Sequence, residues 1–282
     1  MILFFIGCNH QERIHSRQWL YFDTVIEVKL YGDISDEQSG RIFETAKSEF
    51  TRLDSLLNRY SSKSEIYRIN ESPPGSIRVS RELIDILKRS FRWRDITDGL
   101  LEPKIGHLVE LWGIGSGTRK IPSHTEVDSV MKSIRESRLN IIDDTSIAIT
   151  GDISLDLGAF AKGYAVDMVY NILLPICSDA ENINGFLIDA GRNIRGWHRH
   201  RGFRIGITHP REDGLIGQFV LPSGYACASA GDYERYFIRD GIRYHHIFDT
   251  RTGYPADGAV ASTVVAKSAL TADALSTTAI IM

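Results

Sequence analysis

Residues 268–282 read SALTADALSTTAIIM, and a helix of this composition belongs inside a protein. Ala, Leu, Ile and Met occupy nearly every face of it, so no polar stripe is left for water. The rest of the chain has to wrap around it, and 282 residues are enough to do so as one large domain or two small ones. Yet Asp273 sits inside the run, with Ser276 and Thr277 three and four positions on, sharing its face. Burying an unpaired carboxylate is costly. Either Asp273 lies in the first turn and answers the helix dipole, or its oxygens and the hydroxyls hold a hard cation. Carboxylate and hydroxyl oxygens suit Mg²⁺, which keeps several waters and shares its other positions with phosphates.

The elements that could form the wrapping are mixed. YFDTVIEVKLYG (21–32) alternates as a strand does. Residues 36–57 set Ile42, Phe43, Ala46, Phe50, Leu53 and Leu57 at helical spacing behind a Ser35 or Asp36 cap. SPPGS (72–76) is a turn. Ser80 can cap a helix facing inward through Leu83, Ile84, Leu87 and Phe91. Residues 123–138 repeat the pattern through Val127, Val130, Met131 and Ile134, and LNIIDDTSIAIT reads as a hairpin. A helix over 160–174 is followed by short strands: GFLIDA, FRIGIT, GQFVLP, YACAS, IRYHHIF and AVASTVVA. Helices and strands without regular alternation predict an α+β fold, with mixed helices and mostly antiparallel strands.

Several function classes are excluded. Net charge is −3 with no long basic run, so a nucleic-acid partner has no electrostatic support. No apolar run is long enough to span a membrane. Gly191, Gly196 and Gly202 do not make the dinucleotide fingerprint after a strand. Cys8, Cys177 and Cys227 form no CxxC pair or zinc cluster, and whether the last two pair is left open. MILFFIGC, followed at once by polar NHQERIHSRQ, predicts a shortened lipoprotein signal and tether over residues 1–20, with lipid on Cys8 and the natural start upstream. An ordinary buried first strand is the plainer reading.

Two further stretches carry chemistry. SLDLGAFAKGYAVD (154–167) reads as a strand ending at Asp156, a turn at Gly158 and a helix starting near Phe160. That arrangement aims backbone amides at whatever sits above the turn, a place anions favour, and Lys162 adds a mobile charge. A helix start with a solvated lysine fits equally well. RYHHIFDTRTGYPADG (243–258) puts His245 and His246 on opposite faces of a strand, leading through Asp249 and Arg251 into a turn. A lone histidine is most often structural, but a turn this polar usually fixes something.

Taken in order, LNRYSSKSEIYRIN, DGLLEPKIGHLVELWGIG, DLGAFAKGYAVD, ASAGDYERYF, HHIFDTRTGYP and ADALST resemble the markers of the ApbE family, the FAD:protein FMN transferases, from about Tyr21 to the last residue. The resemblance implies one compact FAD-binding unit over residues 21–282. It implies an enzyme that cuts the FAD pyrophosphate, moves FMN onto a Thr or Ser hydroxyl of an acceptor protein, and leaves AMP. The acceptor would be a subunit of a membrane redox complex. Asp273, Ser276 and Thr277, with the Ala159 carbonyl, would bind Mg²⁺, which neutralises the pyrophosphate. His246 would be the general base. Asp156 and Lys162 match flavin-contacting positions, and Tyr60, Leu100, Leu101, Glu102 and Phe248 match the FAD cleft. A lipid at Cys8 would anchor the protein to the outer side of a bacterial cytoplasmic membrane. An FAD pyrophosphatase and a non-catalytic FAD-binding lipoprotein are the other readings.

This chain departs from the family pattern in places. Phe22-Asp23-Thr24 stands for Met-Gly-Thr, which bears on the fit of Phe22 to the cofactor. Leu101-Glu102 carries a longer carboxylate than usual. Ser229-Ala230-Gly231 loses a hydroxyl. Gly191-Arg192-Asn193 puts an arginine where a second glycine is usual, strained if φ there is positive. The family also runs on past the metal helix, so the chain is expected to stop short at Met282.

Overall fold

Tight hairpins with positive φ set the frame of the structure, a computed structural model that describes residues 12–114 and 119–282. Cys8, the expected lipid site, lies outside them. β1 (Ile14–Tyr21) and β2 (Thr24–Gly32) pair antiparallel around Phe22 and Asp23, whose φ values are 53° and 54°. Positive φ at both central residues is the type I′ geometry, whose twist suits a two-residue hairpin. The strand expected over 21–32 therefore breaks at 22–23, and the expected tether gives way to β1 at Ile14. It is an edge strand, and Ser16 and Gln18 lie on its outward face with exposed Ile14 and Leu20. His15, Trp19 and Tyr21 are half-buried on the inner face.

The helices form where caps and apolar spacing agree. α1 (Asp36–Leu57) starts at Ser35, whose Oγ accepts from Gln38 N at 3.2 Å, and it buries all six expected apolar residues. A smaller lobe follows, made of α2 (Glu65–Asn70), β3 (Gly75–Arg78), α3 (Arg81–Ile96), α4 (Gly106–Trp112), α5 (His124–Glu136), β4 (Arg138–Asp143) and β5 (Ser146–Thr150). β3, β5 and β4 form a three-stranded sheet in that order. Ser80 caps α3, and Ser123 with Glu126 forms a capping box on α5.

The chain then returns to the main sheet through α6 (Ala161–Ser178), β6 (Ile183–Ala190) and β7 (Asn193–His198). The β6–β7 turn is again two residues, Gly191 and Arg192, with φ 57° and 71°. Arg192 is thus in the strained conformation, a cost of roughly 1–2 kcal/mol. Asp189 Oδ1 pins the turn by accepting from Arg192 N at 2.9 Å. β8 (Phe203–Thr208) and β9 (Leu215–Leu221) make a hairpin, and β10 (Ala226–Gly231) rejoins the sheet. β11 (Tyr236–Arg239) pairs with β12 (Ile242–His245), and β13 (Phe248–Asp249) with β14 (Tyr254–Pro255). β15 (Ala261–Ala266) and α7 (Ala269–Ile281) complete the order. The six-stranded sheet, β1-β2-β6-β7-β10-β15, is antiparallel throughout.

α1, α6 and α7 pack on one face of this sheet around the largest apolar cluster. The β8–β9 hairpin covers the other face over Tyr31 and Cys227. A second cluster around Trp112, Met131, Phe237 and Phe248 binds the smaller lobe to β11–β13. Cys177 and Cys227 are buried free thiols, each pushed up to about 12 by burial.

α6 and α7 overlap start to start. Asp167 of α6 accepts from the first amides of α7, Ala269 N at 2.7 Å and Leu270 N at 3.0 Å. Asp273 of α7 accepts from Gly163 N at 2.9 Å. Each carboxylate thus meets the orphan amides and positive dipole end of the other helix. Gly163 makes the approach possible, since a Cβ there would lie 2.6 Å from Ala269 O and 2.8 Å from Leu270 Cα. Asp273 lies in the second turn of α7, not the first, so its own helix's dipole is not what it answers.

Candidate active site

A cavity of about 550 Å³ opens where the β1–β2 and β6–β7 turns face the starts of α6 and the body of α7. That is within the range of small-molecule sites, about 300–1,000 Å³. Of the twelve cofactor-, metal- and base-type positions expected besides Ser276, every one lines it: Phe22, Tyr60, Leu100, Leu101, Glu102, Asp156, Ala159, Lys162, His246, Phe248, Asp273 and Thr277.

Ser276 is the exception and a correction. It is 1% exposed, and its hydroxyl donates to Asp273 O at 3.0 Å. Thr278 does the same to Ala274 O at 2.8 Å. Between them, the Thr277 hydroxyl has no hydrogen-bond partner among the described residues, and Thr277 lines the cavity. The i+3 spacing put Ser276 near the carboxylate but could not show that its hydroxyl turns back onto its own helix.

Asp273 is 4% exposed. Burial raises its pKa, opposed by the Lys162 charge and by donation from Gly163 and Asn193. Oδ1 lies 3.9 Å from Lys162 Nζ, too far for a hydrogen bond. Lys162 Nζ instead donates to Gly158 O at 3.1 Å. Beside them, Asn193 Oδ1 is buried with no partner among the described residues. Asp273, Asn193, Thr277 and Ala159 therefore line the same cavity, with a half-compensated carboxylate and an unpartnered amide oxygen among them. No group of three His, Cys, Asp or Glu among the described residues could hold a metal. The mixed oxygen set fits a hard dication that keeps water and ligand oxygens in its remaining positions.

The two histidines divide their roles. β12 ends at His245, whose Nε2 donates to Ala256 O at 2.7 Å while Nδ1 accepts from Ile247 N at 3.3 Å. That ring is satisfied and structural. His246 lies in the bend that follows, not on the strand. Its Nδ1 sits 3.2 Å from Arg235 O, which assigns the proton to Nδ1 and leaves the Nε2 lone pair available. Burial, then the nearby Arg235 charge, push its pKa down to about 3, so the ring is neutral at pH 7.

Asp156 follows an extended segment rather than a strand. Its Oδ1 accepts from Gly158 N at 2.7 Å, shaping the turn before α6. Its Oδ2 takes Arg59 Nη1 at 2.8 Å. Arg59 also pairs with Glu110 and lies over the Tyr60 ring, 5.3 Å from its centre. The sequence reading missed Arg59, although it lies inside one of the quoted markers. Tyr60 is 54% exposed at the mouth. Leu100, Leu101 and Phe248 give an apolar wall, with Phe248 against Trp112. Glu102 turns its carboxylate to Lys104 N at 3.0 Å, and burial raises its pKa.

Comparison with known proteins points one way. The sequence pattern of the ApbE family matches residues 22–282. A FAD:protein FMN transferase of Vibrio cholerae is 32% identical over 251 residues, spanning 85% of this chain and 74% of that one. The crystal structure of the ApbE protein of Thermotoga maritima matches with a TM-score of 0.86 at 31% identity, over 96% of this chain and 87% of that one. The flavin transferase ApbE from Vibrio cholerae matches with a TM-score of 0.78 at 27% identity, over 95% and 86%.

Proposed function

This chain belongs to the ApbE family, and from that premise we propose that it transfers FMN from FAD to a Thr or Ser hydroxyl of an acceptor protein, with Mg²⁺, releasing AMP. The observation that carries the reading is the meeting of Asp273, Thr277, Ala159 and His246 on one cavity although they lie far apart in the chain. Asp273, Thr277 and the Ala159 carbonyl would hold Mg²⁺, with Asn193 Oδ1 beside them. Bound there, the ion supplies charge neutralisation of the diphosphate.

The chain's own groups do the rest. Lys162 and Arg235 face the space for the diphosphate as cations. Leu100, Leu101 and Phe248 present apolar surface to the flavin, and Tyr60 offers a ring at the mouth. His246 Nε2 takes the proton of the acceptor hydroxyl as its oxygen bonds to the FMN phosphorus and the bond to the AMP oxygen breaks. A ring held at a low pKa by burial first, and then by the charges of Arg235 and Lys162, is a weak base in the free protein. An anionic diphosphate beside those cations offsets the charge part of that shift, though not the burial part, so the base strengthens in part when substrate is present. The membrane side of the proposal is a lipid on Cys8 that places the enzyme near acceptor subunits of redox complexes outside the cytoplasmic membrane; Cys8→Ser would then lose its membrane association.

The test is mass spectrometry of an acceptor protein after incubation with the enzyme, FAD and Mg²⁺. The expected result is one FMN on a Thr or Ser, with AMP released in equal amount, and none of this from His246→Ala, which still binds FAD. Folded enzyme that leaves the acceptor unmodified refutes the transfer. AMP release unaffected by acceptor would mean that water is the nucleophile.

A further inference from the structure

Arg192 occupies a costly place. It is the second residue of the β6–β7 turn at φ 71°, a conformation a side chain keeps only where its surroundings hold it. They do so here from both sides of the backbone. Asp189 takes its N–H at 2.9 Å, and its carbonyl accepts from Ser229 N at 3.2 Å.

The side chain is held as firmly, but by one nitrogen. Nη1 donates to Tyr233 Oη at 2.8 Å and to Glu234 Oε1 at 3.2 Å. The guanidinium lies over the Tyr233 ring, 5.0 Å from its centre. Nε and Nη2, the parallel pair of donors that reads two oxygens at once, have no protein partner among the described residues. Arg192 lines the same cavity as Lys162, Asp273 and His246. Of the two other guanidiniums that line the cavity, Arg59 is already engaged by Asp156 and Glu110, whereas Arg235 adds a second cation. A planar fork already immobilised on a tyrosine suits two non-bridging phosphate oxygens, because little side-chain freedom remains to be lost on binding.

We propose that Arg192 is a binding residue for the diphosphate of FAD, pairing its Nε/Nη2 edge with non-bridging oxygens. This rests on the FAD-transfer reading of the site. Arg192 then distinguishes nucleotide ligands from bare flavins, while the apolar wall holds the ring system.

Dissociation constants for FAD, ADP and riboflavin, measured at one fixed magnesium concentration, test this on the intact protein and on Arg192→Gly and Arg192→Lys. Glycine is free of strain at this φ, so the first variant keeps its turn. FAD and ADP should weaken by about tenfold or more in Arg192→Gly, the worth of a charge-assisted hydrogen bond, with riboflavin unchanged. Arg192→Lys keeps the charge without the fork and should fall between. FAD binding that is unaltered in Arg192→Gly, or that falls in step with riboflavin, overturns the assignment. An unaltered parent protein that fails to bind FAD at all sinks the transfer reading, and this inference with it.

Discussion

Gly163→Ala probes the contact that brings α6 and α7 together. The new Cβ would sit 2.6 Å from Ala269 O, and 2.8 Å from Ala269 C and Leu270 Cα. All three are backbone atoms, so no rotamer change relieves the clash. A comfortable separation of ~3.5 Å requires α7 to retreat by roughly 0.7–0.9 Å. Overpacking of this kind costs about 1–3 kcal/mol. Stretching the 2.9 Å bond from Gly163 N to Asp273 forfeits part of about 1.5–3 kcal/mol. The better helix propensity of Ala returns about 1 kcal/mol. The net loss is about 2–3 kcal/mol, readable by urea unfolding. The retreat also carries Asp273 and Thr277 away from His246, and a displacement near 1 Å can cost about 10²-fold in turnover. Gly40→Ala in α1 is the control, since a Cβ there meets nothing within 4 Å, and it should stabilise by about 0.5–1 kcal/mol. If Gly163→Ala stays within about 0.5 kcal/mol of the parent and retains its turnover, the close contact does not set the site and the reasoning fails.

Other expectations follow from the same geometry. Asp273→Asn should raise the unfolding midpoint of the metal-free protein at pH 7, because burial raises the folded pKa of Asp273 and its ionised form weakens the fold as pH rises above the unfolded value. Transfer should be lost in the same variant, and a lowered midpoint would contradict the account. For His246 the folded pKa, about 3, lies below the ordinary ~6.5. Its contribution to stability is therefore full above that unfolded value and is lost as pH falls toward the folded one. The acid limb of kcat/KM should likewise lie below about pH 5, and a limb centred near 6.5 would refute the burial argument. Asp167→Ala strips partners from Ala269 N, Leu270 N and Arg195, and urea unfolding should show a loss of about 3–5 kcal/mol.

Legibility followed the physical origin of each element. α1, α3 and α5 were readable because caps and apolar spacing are both local in sequence. The β1–β2 hairpin was not, because Phe22-Asp23 adopts a turn usually signalled by Asn-Gly, and β1 is an edge strand whose consecutive polar residues, His15 to Gln18, read as a tether. β7 was missed for a similar reason, with two arginine-type or histidine positions and a glycine in six residues. In the site, Asp273, Lys162 and His246 stood out as costly residues in apolar or strand-like surroundings, and the family resemblance supplied their roles. Arg59, Tyr233 and Asn193 gave no such local signal, since what places each of them is a partner far off in the chain. The first-turn explanation of Asp273 failed because the helix it answers is α6, more than a hundred residues earlier.

The cleft is built from unlike materials on its two sides. Behind its Lys162 and Asp273 wall, main chain is pressed on main chain at Gly163, where a side chain could be added only by moving a helix. Its lip is drawn from two-residue turns, whose positive φ values are set by backbone pairing and whose side chains reach into the cavity. One side of the cleft is thereby set by helix against helix, and the other by the hairpin turns of the main sheet.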